Sequence, residues 1–214
     1  AEQDIIPRID TIDKMILSQQ IDSSDRPSGQ DTPLLGFLRD ASAKSQITSQ
    51  RLRAVAQADT GHANYPAFKL AQNLHTISQL IRADVGTRIF FTELGGDGFG
   101  GFDNHANQIG NHCALLHQLS ESVNAFVKDL ENQNLLDKVL LMTYSEFGRR
   151  ILSNGSSGTD HGAAAPLFVF GAMVQAGVSG TTPILPMNAT VGDNVPYQYD
   201  FRSIYASILS NWLC

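Results

Sequence analysis

Long apolar runs are missing from this chain of 214 residues. None approaches the roughly 18 residues that a membrane-spanning helix needs, so no span is expected. A basic excess is missing as well. The formal net charge of −6 speaks against a nucleic-acid partner, whose recognition asks for a positive face. Cysteine is scarce: Cys113 and Cys214 are too few for a disulfide framework, and Cys113 falls in a helical pattern where a small buried hydrophobe is expected. The opening "AEQDIIPRID" has neither the basic start nor the apolar core of an export signal. It reads either as the start left after signal cleavage or as the edge of a piece of a longer chain.

Several catalytic signatures are absent too. No glycine-rich loop ends in Lys-Ser/Thr, and "GGDGFGG" does not open a helix with dinucleotide spacing. No G-x-S-x-G elbow is present, so Ser145 at the end of an apolar run lacks the geometry of a hydrolase nucleophile. No His-Glu-x-x-His helix supports a metallopeptidase. Cys113 has no base near it in sequence and is a poor nucleophile.

What remains is an ordinary globular composition, 42% hydrophobic and 17% charged, enough to build a core. The first part, residues 1–86, reads as helices. "IDTIDKMILSQQI" has helical apolar spacing, and "TPLLGFLRDASAKSQITSQRLRAVAQAD" continues it, with Pro33 near its start. After the break "TGHANYP", "AFKLAQNLHTISQLIRAD" places Leu70, Leu74, Ile77 and Ile81 on one face.

The character changes at Thr87. "TRIFFTEL", "VLLMTYSEF" and "PLFVFGAMV" read as three buried strands. A long amphipathic helix over about Ala106 to Gln133 separates the first two, and "DFRSIYASILSNWL" closes the chain as a helix capped by Asp200. The fold class expected for 87–214 is therefore α/β: a mostly parallel sheet with helices on both faces, preceded by the helical segment.

In such sheets ligands bind beyond the carboxyl ends of the strands. Asp103 and His105 follow the first expected strand, Ser145 and Glu146 end the second, and Asp160 and His161 lie in the loop before the third. Carboxylate and imidazole together suit zinc or manganese, and more oxygen ligands suit magnesium or calcium. Each cluster alone has a plainer reading. Asp-x-His is common in irregular loops, Glu146 can pair with Arg149 or Arg150, and Asp160 can be a turn residue. Their convergence after successive strands is what favours a metal site. One ion can join Asp103, His105 and His161 only if their ligating atoms lie within about 7 Å of one another. His62, His75, His112 and His117 read as surface or core histidines.

"GGFDNHANQ", "SEFGRR", "NGSSGTDHG" and "DFRSIYASIL", in that order, resemble the family called domain of unknown function 1501, over about Thr87 to Leu213. That family is similar to the alkaline phosphatase and sulfatase superfamily. The resemblance implies a three-layer α/β/α sandwich and a metal-dependent hydrolase of phosphate or sulfate esters. It implies that Asp103, His105 and His161 serve one metal, with Asp160 a weaker candidate, and that Glu146 takes the place of an acidic ligand to a second. Arg149 is implied either against an anionic substrate or in an ion pair with Glu146, the pair being favoured. The substrate would be a small anionic ester or a sulfated or phosphorylated glycan, and the place extracytoplasmic. Two departures stand out. Ser145-Glu146-Phe147 occupies the position of the usual Asp-His pair, and the early strand with its nucleophile has no counterpart before Thr87. The chain is accordingly expected to be part of a longer parent or a form that has lost that half; a non-catalytic exported binding module is the alternative function.

Overall fold

The computed structural model describes residues 33–57, 64–95 and 100–213. The expected helix over 9–21 lies outside them. The chain divides into two compact units, Ala1–Thr92 and Glu93–Cys214.

In the first unit, α1 spans Pro33–Gln57 and α2 spans Lys69–Arg82, and the two pack on each other. Pro33 opens α1 at the position where a missing N–H costs nothing. Helix α2 buries Leu70, Ala71, Leu74 and Ser78, a stripe at helical spacing. Ile77 and Ile81, expected on that face, are half-buried. The helix ends at Ala83, whose amide returns to the Gln79 carbonyl, and Asp84 turns the chain with φ 47°.

"TRIFFTEL" is not a strand. Residues 87–93 form no regular element and have no ladder partner among the described residues. Ile89 and Phe91 are 70% and 69% exposed, and the Asn73 amide of α2 donates to Thr92 Oγ1 at 3.0 Å. The β-branched and aromatic residues that suggested a strand favour extended backbone, but they cannot supply the second strand that makes a ladder.

In the second unit, α3 spans Gln108–Asn132 and buries Leu115, Ser122, Val123, Phe126, Asp129 and Leu130 along one side. A 3-10 turn, Leu136–Lys138, leads into β1, Leu141–Met142. Strands β2, Gly148–Arg149, and β3, His161–Gly162, pair antiparallel, and β1 pairs antiparallel with β4, Val169–Phe170. Helix α4, Phe201–Asn211, closes the unit, and the Asp200 carboxylate accepts the Arg202 amide as its N-cap.

These pairs overturn the expected mostly parallel sheet and three-layer sandwich. The described strands form two antiparallel pairs of two residues each. A parallel neighbour needs a crossover connection, usually a helix. Between β1 and β4 the chain instead folds back through the β2–β3 pair, so β4 returns antiparallel to β1. The apolar runs "VLLMTYSEF" and "PLFVFGAMV" do meet, at Leu141–Phe170 and Met142–Val169. Cys113, expected to be buried, is exposed on α3.

Candidate metal centre

The Asp-x-His spacing works because of the residue between. Asn104 is 7% exposed; its side chain donates to the Gly101 carbonyl at 3.3 Å and accepts from Asn111 on α3. The Asn104 amide returns to the Phe102 carbonyl at 3.0 Å, and with Asn104 buried in this turn Asp103 and His105 on either side of it are left exposed. Asn107 then swings the chain into α3 at φ 46°, a left-handed conformation that asparagine tolerates better than most residues.

The second half of the centre comes from the β2–β3 pair. Its register sets Arg149 opposite His161, so both side chains stand on the face that meets Asp103. The loop between them is bound to the start of α3: the amides of Asn107 and Gln108 donate to the carbonyls of Ser156 and Ser157, both at 3.0 Å. These donors belong to the helix start, whose first amides have no partner within the helix. Thr159 completes the seam, its amide on the Asn104 carbonyl at 3.1 Å and its hydroxyl on Gln108 Oε1 at 2.8 Å. Glycines make the close approach possible. A Cβ on Gly158 would land on the His105 carbonyl, and one on Gly162 on the carbonyl of Arg149.

Four groups converge as a result. His105 Nε2 and His161 Nε2 each lie 2.9 Å from Asp103 Oδ1, and Arg149 Nη1 donates to the same oxygen. Arg149 is otherwise spent on Thr159, donating to its hydroxyl and its carbonyl. This corrects the favoured expectation that Arg149 pairs with Glu146: its partner is Asp103. His105 Nδ1 faces Asp160 Oδ1 at 3.2 Å, and Asn154 Nδ2 donates to that oxygen at 3.1 Å. Phe147 stacks on the His161 ring, with centroids 3.8 Å apart and planes at 13°.

The Arg149 guanidinium, more than the two imidazoles, holds the Asp103 carboxyl below its ordinary value. The Asn154 amide, followed by His105, does the same for Asp160. Both carboxylates are thereby kept ionised.

Asp103, His105 and His161 offer ligand atoms that all lie within 4.8 Å of one another. Tetrahedral zinc with ligands at about 2.0–2.2 Å sets them about 3.3 Å apart, so small side-chain shifts accommodate an ion here. The donor set, two imidazoles and a carboxylate, suits zinc or manganese better than calcium. Glu146 is exposed and outside this group, and no hydrogen bond or ion pair reaches it among the described residues. Ser145 spends its hydroxyl on the Phe147 carbonyl at 2.8 Å. His75 stacks on Tyr65, His112 meets the edge of Phe102, His117 is exposed, and His62 lies outside the described residues.

Asn154, Thr159 and Phe147 were not singled out by sequence reasoning. Asn154 carried the clearest signal: asparagine before glycine, in "SNGSSG", marks a turn in which the side chain caps nearby amides. It does so for Ser156 at 2.9 Å and Gly158 at 3.1 Å.

A helical protein with short antiparallel pairs, carrying an exposed Asp-His-His cluster at the start of a long helix, is the class these features define. The chain belongs to the family described as "Protein of unknown function (DUF1501)", which it matches over residues 17–211. The match reaches well upstream of Thr87, so the helical part before the motifs belongs to the family as well. No curated protein matches the chain, and no solved structure does.

Proposed function

We propose that the chain is a metal-dependent hydrolase of phosphate or sulfate esters, with Asp103, His105 and His161 as ligands of one divalent ion. The observation that carries this reading is the approach of those three ligand atoms to within 4.8 Å, from two segments 56 positions apart at His105 and His161. The motifs' likeness to the alkaline phosphatase and sulfatase superfamily supports the choice of ester; it concerns the chemistry, since the sandwich of that superfamily is not this fold. A divalent ion at such a site supplies Lewis acidity toward an ester oxygen. The chain's own part is to keep Asp103 ionised through Arg149, to aim His105, and to hold His161 flat against Phe147. The substrate class that fits is a small anionic ester or a sulfated or phosphorylated glycan, and an extracytoplasmic place accords with the family's likeness to exported enzymes.

Metal content of the purified chain tests the site, and a screen of aryl phosphates and sulfates with added zinc, manganese or magnesium tests the activity. Zinc or manganese bound one to one, with turnover abolished in Asp103→Ala, is the expected result. Stoichiometric absence of metal after loading, or turnover that survives Asp103→Ala, sinks the proposal.

One observation favours a second reading, a non-catalytic exported binding module. Asp103 is already satisfied by Arg149 and two imidazoles, so the cluster also closes on itself as a clamp between the loop before α3 and the β2–β3 pair. Metal-free protein as stable as loaded protein, and inactive on every ester, is the outcome that reading requires.

A further inference from the structure

The sequence counts Asp160 among the metal ligands, but in the structure it stands one step behind them. The ligand group consists of Asp103, His105 and His161, whereas Asp160 touches the far nitrogen of His105. The His105 ring therefore spans two carboxylates, with Nδ1 3.2 Å from Asp160 Oδ1 and Nε2 2.9 Å from Asp103 Oδ1. A neutral imidazole has one N–H to give. Asp103 Oδ1 already takes the Arg149 guanidinium and faces His161 Nε2, which makes it the poorer acceptor for another proton. Asp160 Oδ1 has Asn154 Nδ2 beside it and room for one more donor.

We propose that Asp160, fixed by Asn154, is the positioning residue of His105: it holds the ring proton on Nδ1 and leaves the Nε2 lone pair facing Asp103 and His161. Asn154 couples the carboxylate to the ring's own backbone. Its Nδ2 donates both to Asp160 Oδ1 and to the His105 carbonyl, at 3.1 and 3.0 Å, while its Oδ1 accepts the amides of Ser156 and Gly158. Backbone and side chain of His105 are thus set by one turn. A ligating histidine whose second nitrogen donates to a carboxylate is the recurring arrangement around protein-bound metals, because it fixes the tautomer and raises the basicity of the ligating nitrogen. The purpose of this device rests on the metal reading above; its existence does not.

The test separates the two. Nitrogen-15 ring spectra of the metal-free full chain are recorded at about pH 9, where an ordinary imidazole is neutral. Wild type is expected to show His105 with its proton on Nδ1. Asp160→Ala moves the proton to Nε2, toward Asp103. Asp160→Asn, whose amide oxygen still accepts, restores the Nδ1 form, and Asp103→Ala leaves it unchanged. Cobalt(II) titration followed by visible absorbance is the second readout, with Asp160→Ala weakening binding roughly 10–100-fold and Asp160→Asn recovering most of it. An Nε2 proton on His105 in wild type overturns the proposal without need of any variant. So does cobalt affinity that is unmoved by Asp160→Ala while Asp103→Ala abolishes it. Wild type that binds no cobalt yet keeps the Nδ1 proton defeats the metal reading and leaves the positioning role standing.

Discussion

At the scale of the residue, Asp103 is the hub: one carboxylate oxygen accepts from Arg149 and has Nε2 of His105 and of His161 each 2.9 Å away. On the proposed metal reading Asp103→Ala or His161→Ala removes a direct ligand, so zinc affinity is expected to fall by more than the roughly 10–100-fold typical of an outer-shell change. Competition against a chromophoric chelator measures it, and a smaller loss removes that residue from the ligand set. Phe147 acts more gently. It covers one face of His161 at 3.8 Å, and a stacked pair of this kind contributes about 0.5–1.5 kcal/mol beyond burial. Phe147→Ala should therefore weaken zinc binding about 2- to 12-fold through a less ordered ring, while Phe147→Tyr should leave it near wild type. The three residues that the structure brings together, Asp103, His105 and His161, could be named from the sequence because their clusters follow successive apolar runs, although Asp-x-His alone is common in irregular loops. The division of labour between Asp160 and His161 could not. Neighbours in sequence that point to different partners are distinguished by register, and a two-residue strand sets that register from its partner.

At the scale of the element, glycine decides where segments meet. A Cβ on Gly148 would land on the backbone of Ala164, and one on Gly158 on that of His105. Backbone cannot step aside as a side-chain tip can, so Gly148→Ala and Gly158→Ala should each destabilise the second unit by roughly 1–3 kcal/mol. Denaturant unfolding reads this, and Gly155→Ala, with open space around it, is the control expected to stay near wild type. Helix α4 offers a pH test. The Asp200 carboxyl is lowered to about 2, first by the Arg202 side chain and then by the Arg202 amide. Folding favours its ionised form, so the contribution is complete above about pH 4 and is lost as pH falls toward 2. The Arg202 amide resonance should move through that window in wild type, and in Asp200→Asn it should not. Both long helices and this cap could be read ahead of the structure, since apolar spacing and capping are local properties. The sheet could not. Apolar runs do not say how strands pair: parallel or antiparallel pairing depends on whether the intervening chain forms a crossover helix, and "GRRILSNGSSGTDHGAAA" instead holds the β2–β3 pair, with Gly148 opposite Gly162 and Asn154 in the turn between the strands.

At the scale of the whole molecule, the centre belongs to the second unit, and every side chain in it comes from residues 103–161. What joins the two halves of the centre is a seam of hydrogen bonds from Asn107, Gln108 and Thr159, together with the Asp103 clamp. Three of the clamp's side chains, Asp103, His105 and His161, are about half exposed at 49% each, while Arg149 stands at 17%. Exposed ion pairs contribute little on their own, because water competes for both partners. On the proposed metal reading, a divalent ion bound by both halves would add what the clamp lacks, since it would bind the folded arrangement and have no equivalent site in the unfolded chain. At a free concentration one hundred times its dissociation constant, such an ion stabilises the fold by about 2.7 kcal/mol. Zinc should therefore raise the unfolding temperature of wild type in proportion to the logarithm of its free concentration. A chelator should reverse the shift, and Asp103→Ala should abolish it. Calcium, which prefers an all-oxygen shell, should give a much smaller shift at the same concentration. An unfolding temperature indifferent to zinc in wild type, or a zinc shift that persists in Asp103→Ala, would place any bound ion away from this cluster and leave the clamp as a structural joint alone.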